Sequence, residues 1–125
     1  MNSHWTLENV EDNARTELGP DLAIVADLFP RAVNAIYIQM TSEEYKSQSN
    51  FNRDEYRRRV LSELPKNCEE VLPFFVRSVW NKRWDPVTHA TEIEKLANDF
   101  AKVVGHAGGS VSVEELIEEC KKSLG

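Results

Sequence analysis

Ile93-Glu94-Lys95-Leu96-Ala97-Asn98-Asp99-Phe100-Ala101-Lys102-Val103-Val104 decides the fold class. Its apolar residues, Ile93, Leu96, Ala97, Phe100, Val103 and Val104, return every three or four positions, with mostly charged or amide side chains between them. That period is helical, with one face turned to a core; a strand would alternate at every second residue. Leu96 and Phe100 are therefore expected core residues. Asp85-Pro86 reads as a cap followed by proline at the first helical position, and Gly105 as the C-cap, which sets a helix over 86–104.

Outward from this stripe the same grammar repeats. Downstream, Gly105-His106-Ala107-Gly108-Gly109-Ser110 is a loop. Ser112 with Glu115 then forms a capping box ahead of Val113, Leu116, Ile117, Cys120 and Leu124. Upstream, Asn67 with Glu70 caps a helix whose expected inner face is Leu72, Phe75, Val76, Val79 and Trp80. Pro73 should bend that helix or delay its start to about residue 73, because proline lacks a backbone donor. Before it, Asn52 with Glu55 opens a helix that turns Tyr56, Val60, Leu61 and Leu64 inward and ends at Pro65. Residues 46–52 read as a polar loop.

In the N-terminal part, Thr6 is a candidate N-cap for the stripe Leu7, Val10, Ala14, Leu18, and Gly19-Pro20 closes that helix. Asp21 is a candidate cap for the next segment. There Leu22, Val25, Ala26 and Phe29 are followed in phase by Val33, Ile36, Tyr37 and Met40. Pro30 either kinks one helix or marks a short helix followed by a second that begins at Asp27. Residues 35–40 have the β-branched and aromatic character of a strand, but the kept phase favours helix. The expectation is an all-α fold: a compact single-domain bundle of five to six helices over 1–125, with sequence neighbours packing together.

Composition supports a folded chain rather than a disordered one. Of 125 residues, 41% are hydrophobic and 29% charged, and the net charge is −6. The charge is uneven. Residues 1–50 carry eight acids and three bases, residues 51–85 six acids and eight bases, and residues 86–125 seven acids and four bases. A basic middle lies between acidic flanks. Overall acidity disfavours non-specific binding to nucleic acid and to anionic membrane, and no apolar run approaches the ~18 residues of a membrane span. The opening Met1-Asn2-Ser3-His4-Trp5 lacks the basic and apolar regions of a secretory signal. Two cysteines, Cys68 and Cys120, lie in apolar helical patterns and are expected as free thiols, not bonded to each other. Together these features indicate a cytoplasmic protein without membrane association.

Catalytic signatures are missing. The sequence has no phosphate-binding loop, dinucleotide fingerprint, Gly-x-Ser-x-Gly elbow or His-Glu-x-x-His helix. Gly105 to Gly109 follows a helix and offers no lysine, so it reads as a connection between helices. His89 and Glu92 lie one helical turn apart, yet the other histidines, His4 and His106, give no second ligand pair. Cys68 starts a helix, where the dipole lowers a thiol's pKa, but Glu69 and Glu70 oppose that effect. The expectation is a non-enzymatic chain with no cofactor and no metal.

Arginine and tryptophan dominate binding hot spots, and both concentrate in the basic middle. The candidate binding residues are Arg57, Arg58 and Arg59 on one helix, and Lys82, Arg83 and Trp84 at the end of the next. They indicate a protein–protein interaction module of adaptor, inhibitor, immunity or regulatory type. The alternative is a nucleic-acid-binding regulator that uses the segment 53–84. Separately, Ile93 to Ile117, an amphipathic helix, a glycine-bearing loop and then Ser112-Val113-Glu114-Glu115-Leu116, resembles the helical lid subdomain of certain AAA-type ATPases. That resemblance covers a fifth of the chain on hydrophobic phase alone, without a nucleotide-binding core, and assigns no residue a role.

Overall fold

In the computed structural model, residues 7–47 and 50–124 are described, with side chains over 10–43 and 50–124. Among them all regular secondary structure is helical: α1 (Leu7–Leu18), α2 (Ala23–Leu28), α3 (Pro30–Ser47), α4 (Arg53–Ser62), α5 (Cys68–Asn81), α6 (Ala90–His106) and α7 (Val113–Leu124), with a 3-10 turn at Pro20–Leu22. The all-α class stands, but the count of five to six helices is corrected to seven α-helices among the described residues. The additional helix comes from Pro30. Phe29 leaves helical geometry, with φ −132° and ψ 55°, and ends α2. Pro30 then heads α3 itself, where its missing N–H is no loss. Residues 35–40 are helical, as the kept phase indicated.

The chain divides into two compact units, Met1–Glu63 and Leu64–Gly125. In the first, α1, α3 and α4 pack mutually and α2 closes against α1 and α3. Val10, Ala14 and Leu18 of α1 are buried with Val25, Val33, Ile36, Met40, Tyr56 and Val60. Tyr56 donates a buried hydrogen bond of 2.8 Å to the Ala14 carbonyl. Its ring meets those of Tyr37 and Phe51 at 5.8 and 5.4 Å. The candidate cap Thr6 lies outside the described residues, as does the side chain of Leu7. Asp21 caps nothing: it sits within the 3-10 turn, which has no side-chain cap, and pairs with Arg57. The loop expected from residue 46 starts later, because α3 continues to Ser47.

In the second unit α5, α6 and α7 all pack on one another. Phe75 of α5 meets Phe100 of α6 edge-to-face at 5.7 Å, and both are fully buried with Val71, Val79, Val103, Val104 and Leu116. Leu96 is buried too, in line with the amphipathic stripe. Asn67 accepts from the Glu70 amide at 2.9 Å to start α5, and Ser112 accepts from Glu115 at 3.3 Å to start α7. In the first unit Asn52 does the same for α4, from Glu55 at 2.9 Å. The glutamates do not complete the boxes by returning to the cap. Glu70 accepts from the Lys66 amide, and Glu55 is held by Arg58 and Arg59.

Three sequence expectations are corrected here, and one alternative is decided. Helix α5 starts at Cys68 and runs through Pro73, so the proline does not delay its start. The proline and Glu69, whose carbonyl loses its partner, are both exposed, so water can satisfy the carbonyl. Helix α6 starts at Ala90, because the Asp85 carboxylate accepts from the Val87 and Thr88 amides and holds a turn first. Its C-cap is Ala107 rather than Gly105. Helix α4 ends at Ser62, short of Pro65, and Leu64 is buried in the second unit.

Candidate functional site

The candidate residues fall into two sets. Arg57, Arg58 and Arg59 belong to the first unit, and Lys82, Arg83 and Trp84 to the second.

The first set is engaged within its own unit. Arg57 donates to the Leu18 carbonyl at the end of α1 and pairs with Asp21 at 2.6 Å. That contact holds the Asp21 carboxyl well down, to about 2. Arg53 reaches the Glu17 carbonyl at 2.8 Å. These two arginines satisfy carbonyls that the end of a helix otherwise leaves open. Gly19 makes the approach possible: its φ is +90°, and a Cβ there would lie 2.9 Å from the Arg57 guanidinium. Arg58 pairs with Glu55 at 2.5 Å and stays largely exposed, while Arg59 bridges Glu55 at 2.9 Å and Glu43 at 3.3 Å. Surface ion pairs of this kind contribute little stability, but they neutralise the arginine run locally.

The second set lies where α5 ends. The Arg83 amide donates to the Trp80 carbonyl at 3.0 Å and the Trp84 amide to the Val79 carbonyl at 3.3 Å. These two bonds form a Schellman cap, in which the residue after the C-cap must adopt left-handed geometry. That residue is Arg83, at φ 56° the one non-glycine residue with positive φ among those described. Trp84 stacks on His89 at 6.3 Å and 22°, and the Lys82 ammonium stands 5.2 Å from the Trp84 ring. His89 in turn accepts from the Asp85 amide at 3.0 Å. Trp84 is therefore half-buried and framed by its neighbours.

Trp80, expected in the core, is the correction that matters most for function: its side chain is 71% exposed. The buried face of α5 is Val71, Phe75 and Val79. Leu72, Val76 and Trp80 form a second apolar stripe, about 100° further round the helix at ~3.6 residues per turn. Leu72 and Val76 are half-buried, and Trp80 lies at the outer end. The last turn of α7 borders this stripe. One shallow depression is lined by Leu72, Pro73, Val76, Arg77, Trp80 and Leu124. A second, on the other side of Trp80, adds Arg83, Trp84, Asp85 and Pro86, and a third continues to Val87 and Lys121. Val87 is 85% exposed.

Arg77, Trp80, Lys121 and Leu124 are the surface residues that sequence reasoning missed. The available signal was the second stripe on α5, since a helix with two adjacent apolar stripes has more apolar surface than one core contact uses. Among the described residues, Arg77, Arg83 and Lys121 have no salt-bridge partner, in contrast with Arg57, Arg58 and Arg59.

Cys120 is buried and Cys68 half-buried, both free. Burial raises the Cys68 thiol pKa, with Glu115 and Glu119 adding to the effect, and burial alone raises that of Cys120. Among the described residues no three His, Cys, Asp or Glu side chains gather as a metal would require, and no helix is long and apolar enough to cross a membrane. No protein-family model, curated protein or solved structure matches the chain.

Proposed function

We propose that the chain is a non-enzymatic protein-binding module, of adaptor, inhibitor or regulatory type, and that the α5–α7 surface around Trp80 is its binding face. One observation carries this reading: a 71% exposed tryptophan stands on an apolar stripe flanked by Arg77 and Arg83, which have no salt-bridge partner among the described residues. Tryptophan and arginine are the side chains most enriched in binding hot spots. An exposed apolar surface rimmed by polar groups is what a protein interface presents before it is covered. Of the sequence candidates, Arg83, Lys82 and Trp84 belong to this face. Arg57, Arg58 and Arg59, each paired with a carboxylate within the other unit, are left out of the proposed face. Cys68 and Cys120 as free thiols suit the reducing cytoplasm, where we place this activity.

Affinity capture from the cells that make the protein, with wild type and Trp80→Ala run in parallel, tests the reading. A discrete protein retained by wild type and lost from the variant is the expected result. Equal retention by both, or retention of nucleic acid alone, contradicts it.

A further inference from the structure

We infer that the occupant of this face is an acidic amphipathic segment of another protein, laid along the groove between α5 and the last turn of α7. The inference rests on the binding role proposed above and adds the chemistry of the partner. The groove floor is aliphatic and aromatic, made by Leu72, Pro73, Val76, Trp80 and Leu124. From Leu72 to Trp80 it runs over nine residues of α5, eight helical steps or about 12 Å at ~1.5 Å per residue. That length matches two turns of a helix presenting apolar anchors at i, i+3 or i+4, and i+7.

Cations outnumber acids around the floor, although Lys121 also borders a separate depression lined by Glu114 and Glu118. Arg77, Arg83 and Lys121 border the floor without salt-bridge partners among the described residues, and Lys82 stands over Trp84. The single acid around the floor, Asp85, already accepts from the Val87 and Thr88 amides at 3.1 and 2.8 Å. This local excess of positive charge lies in a unit whose 62 residues hold ten acids and eight bases. It is therefore a feature of the face and not of the unit, and it complements carboxylates on an incoming segment. A nucleic acid would match the charge and could stack on Trp80, but it would leave the aliphatic part of the floor, Leu72, Val76 and Leu124, unmatched. A second copy of this chain, with its net charge of −6, is the competing occupant, and self-association in the test below separates it.

Peptide display against the intact protein tests the inference, with helical libraries whose charged positions sample aspartate, glutamate, lysine and arginine equally. The expected outcome is enrichment of acidic peptides with large apolar residues at helical spacing. Arg77→Glu with Lys121→Glu should weaken the best of them about tenfold or more, whereas Arg58→Glu should not. Circular dichroism of each variant checks that the fold is kept. Enrichment of neutral or basic peptides that still require Trp80 overturns the acidic partner and leaves the binding face standing. Selected peptides indifferent to Trp80→Ala, tighter binding of an oligothymidylate than of any peptide, or self-association by light scattering that Trp80→Ala abolishes, overturns both.

Discussion

Arg83 and Gly108 occupy the same position in two caps of the same design. In each, the residue after the C-cap has positive φ, 56° at Arg83 and 85° at Gly108, and the next amide reaches back to the helix, Trp84 to Val79 and Gly109 to Val104. Glycine adopts this geometry without steric cost, whereas a side chain does not. The cap of α6 follows the usual rule, and that of α5 breaks it beside the proposed binding face. Left-handed non-glycine residues cluster where function retains them.

Opposite signs are therefore expected on exchange. Arg83→Gly should stabilise the protein by about 1 kcal/mol, and Gly108→Ala should destabilise it by a similar amount. A Cβ at Gly108 meets nothing within 4 Å, so backbone conformation alone sets that cost. Urea midpoints with unchanged slopes measure both. Arg83→Gly should also weaken partner capture, which separates stability from binding at one residue.

Gly109 is constrained for a different reason. A Cβ there would lie 2.2 Å from the Lys66 carbonyl oxygen, which accepts from the Ser110 amide at 3.0 Å. Both sides of the contact are backbone, so neither can move alone. Gly109→Ala is expected to cost about 1–3 kcal/mol, as overpacking does. A midpoint equal to wild type would show that the 108–110 turn does not rest on Lys66.

Acid sensitivity has an assignable source in the first unit. Hydrogen bonding to Arg57 holds the Asp21 carboxyl at about 2, below its ordinary value near 3.8. A carboxyl lowered by folding contributes stability that is fully present above its unfolded value and is lost as pH falls toward its folded one. The window is therefore roughly pH 4 down to 2. Across it, wild type should lose more stability than Asp21→Asn. Parallel acid titrations of the two proteins, followed by circular dichroism, read the difference.

The core of the second unit depends on one ring pair. Phe100→Ala removes the edge-to-face partner of fully buried Phe75, and truncating a buried phenylalanine costs about 3–5 kcal/mol. An unchanged thermal midpoint would show that the stripe from Ile93 to Val104 does not build a core.

These residues also show what was legible in the sequence. Asn52, Asn67 and Ser112 fixed three helix starts, because a cap acts through the amide three residues on. The stripe from Ile93 to Val104 fixed a core face, because only one period fits it. Trp80 was misread because five apolar residues on α5 were assigned to one face although they form two stripes. Which stripe is buried depends on where α6 and α7 pack, and that is tertiary information. The arginine run was visible as charge, and so was Glu55 one turn before Arg58 and Arg59, but the other partners, Asp21 and Glu43, lie far away in sequence. Arg83 gave no signal at all, since a left-handed cap in sequence is ordinarily marked by glycine or asparagine.

Site-specific photo-cross-linking in the cells that make the protein tests the central claim most directly. A photoreactive residue is placed at Trp80 in one protein and at Ile38, an exposed apolar position of the first unit, in another. Both sites are exposed, so substitution should shift stability by only about half a kcal/mol. The account expects a discrete protein adduct from position 80 and none from position 38. Equal labelling from both positions, or an adduct from 38 alone, would contradict the claim that the α5–α7 surface is where this chain binds its partner.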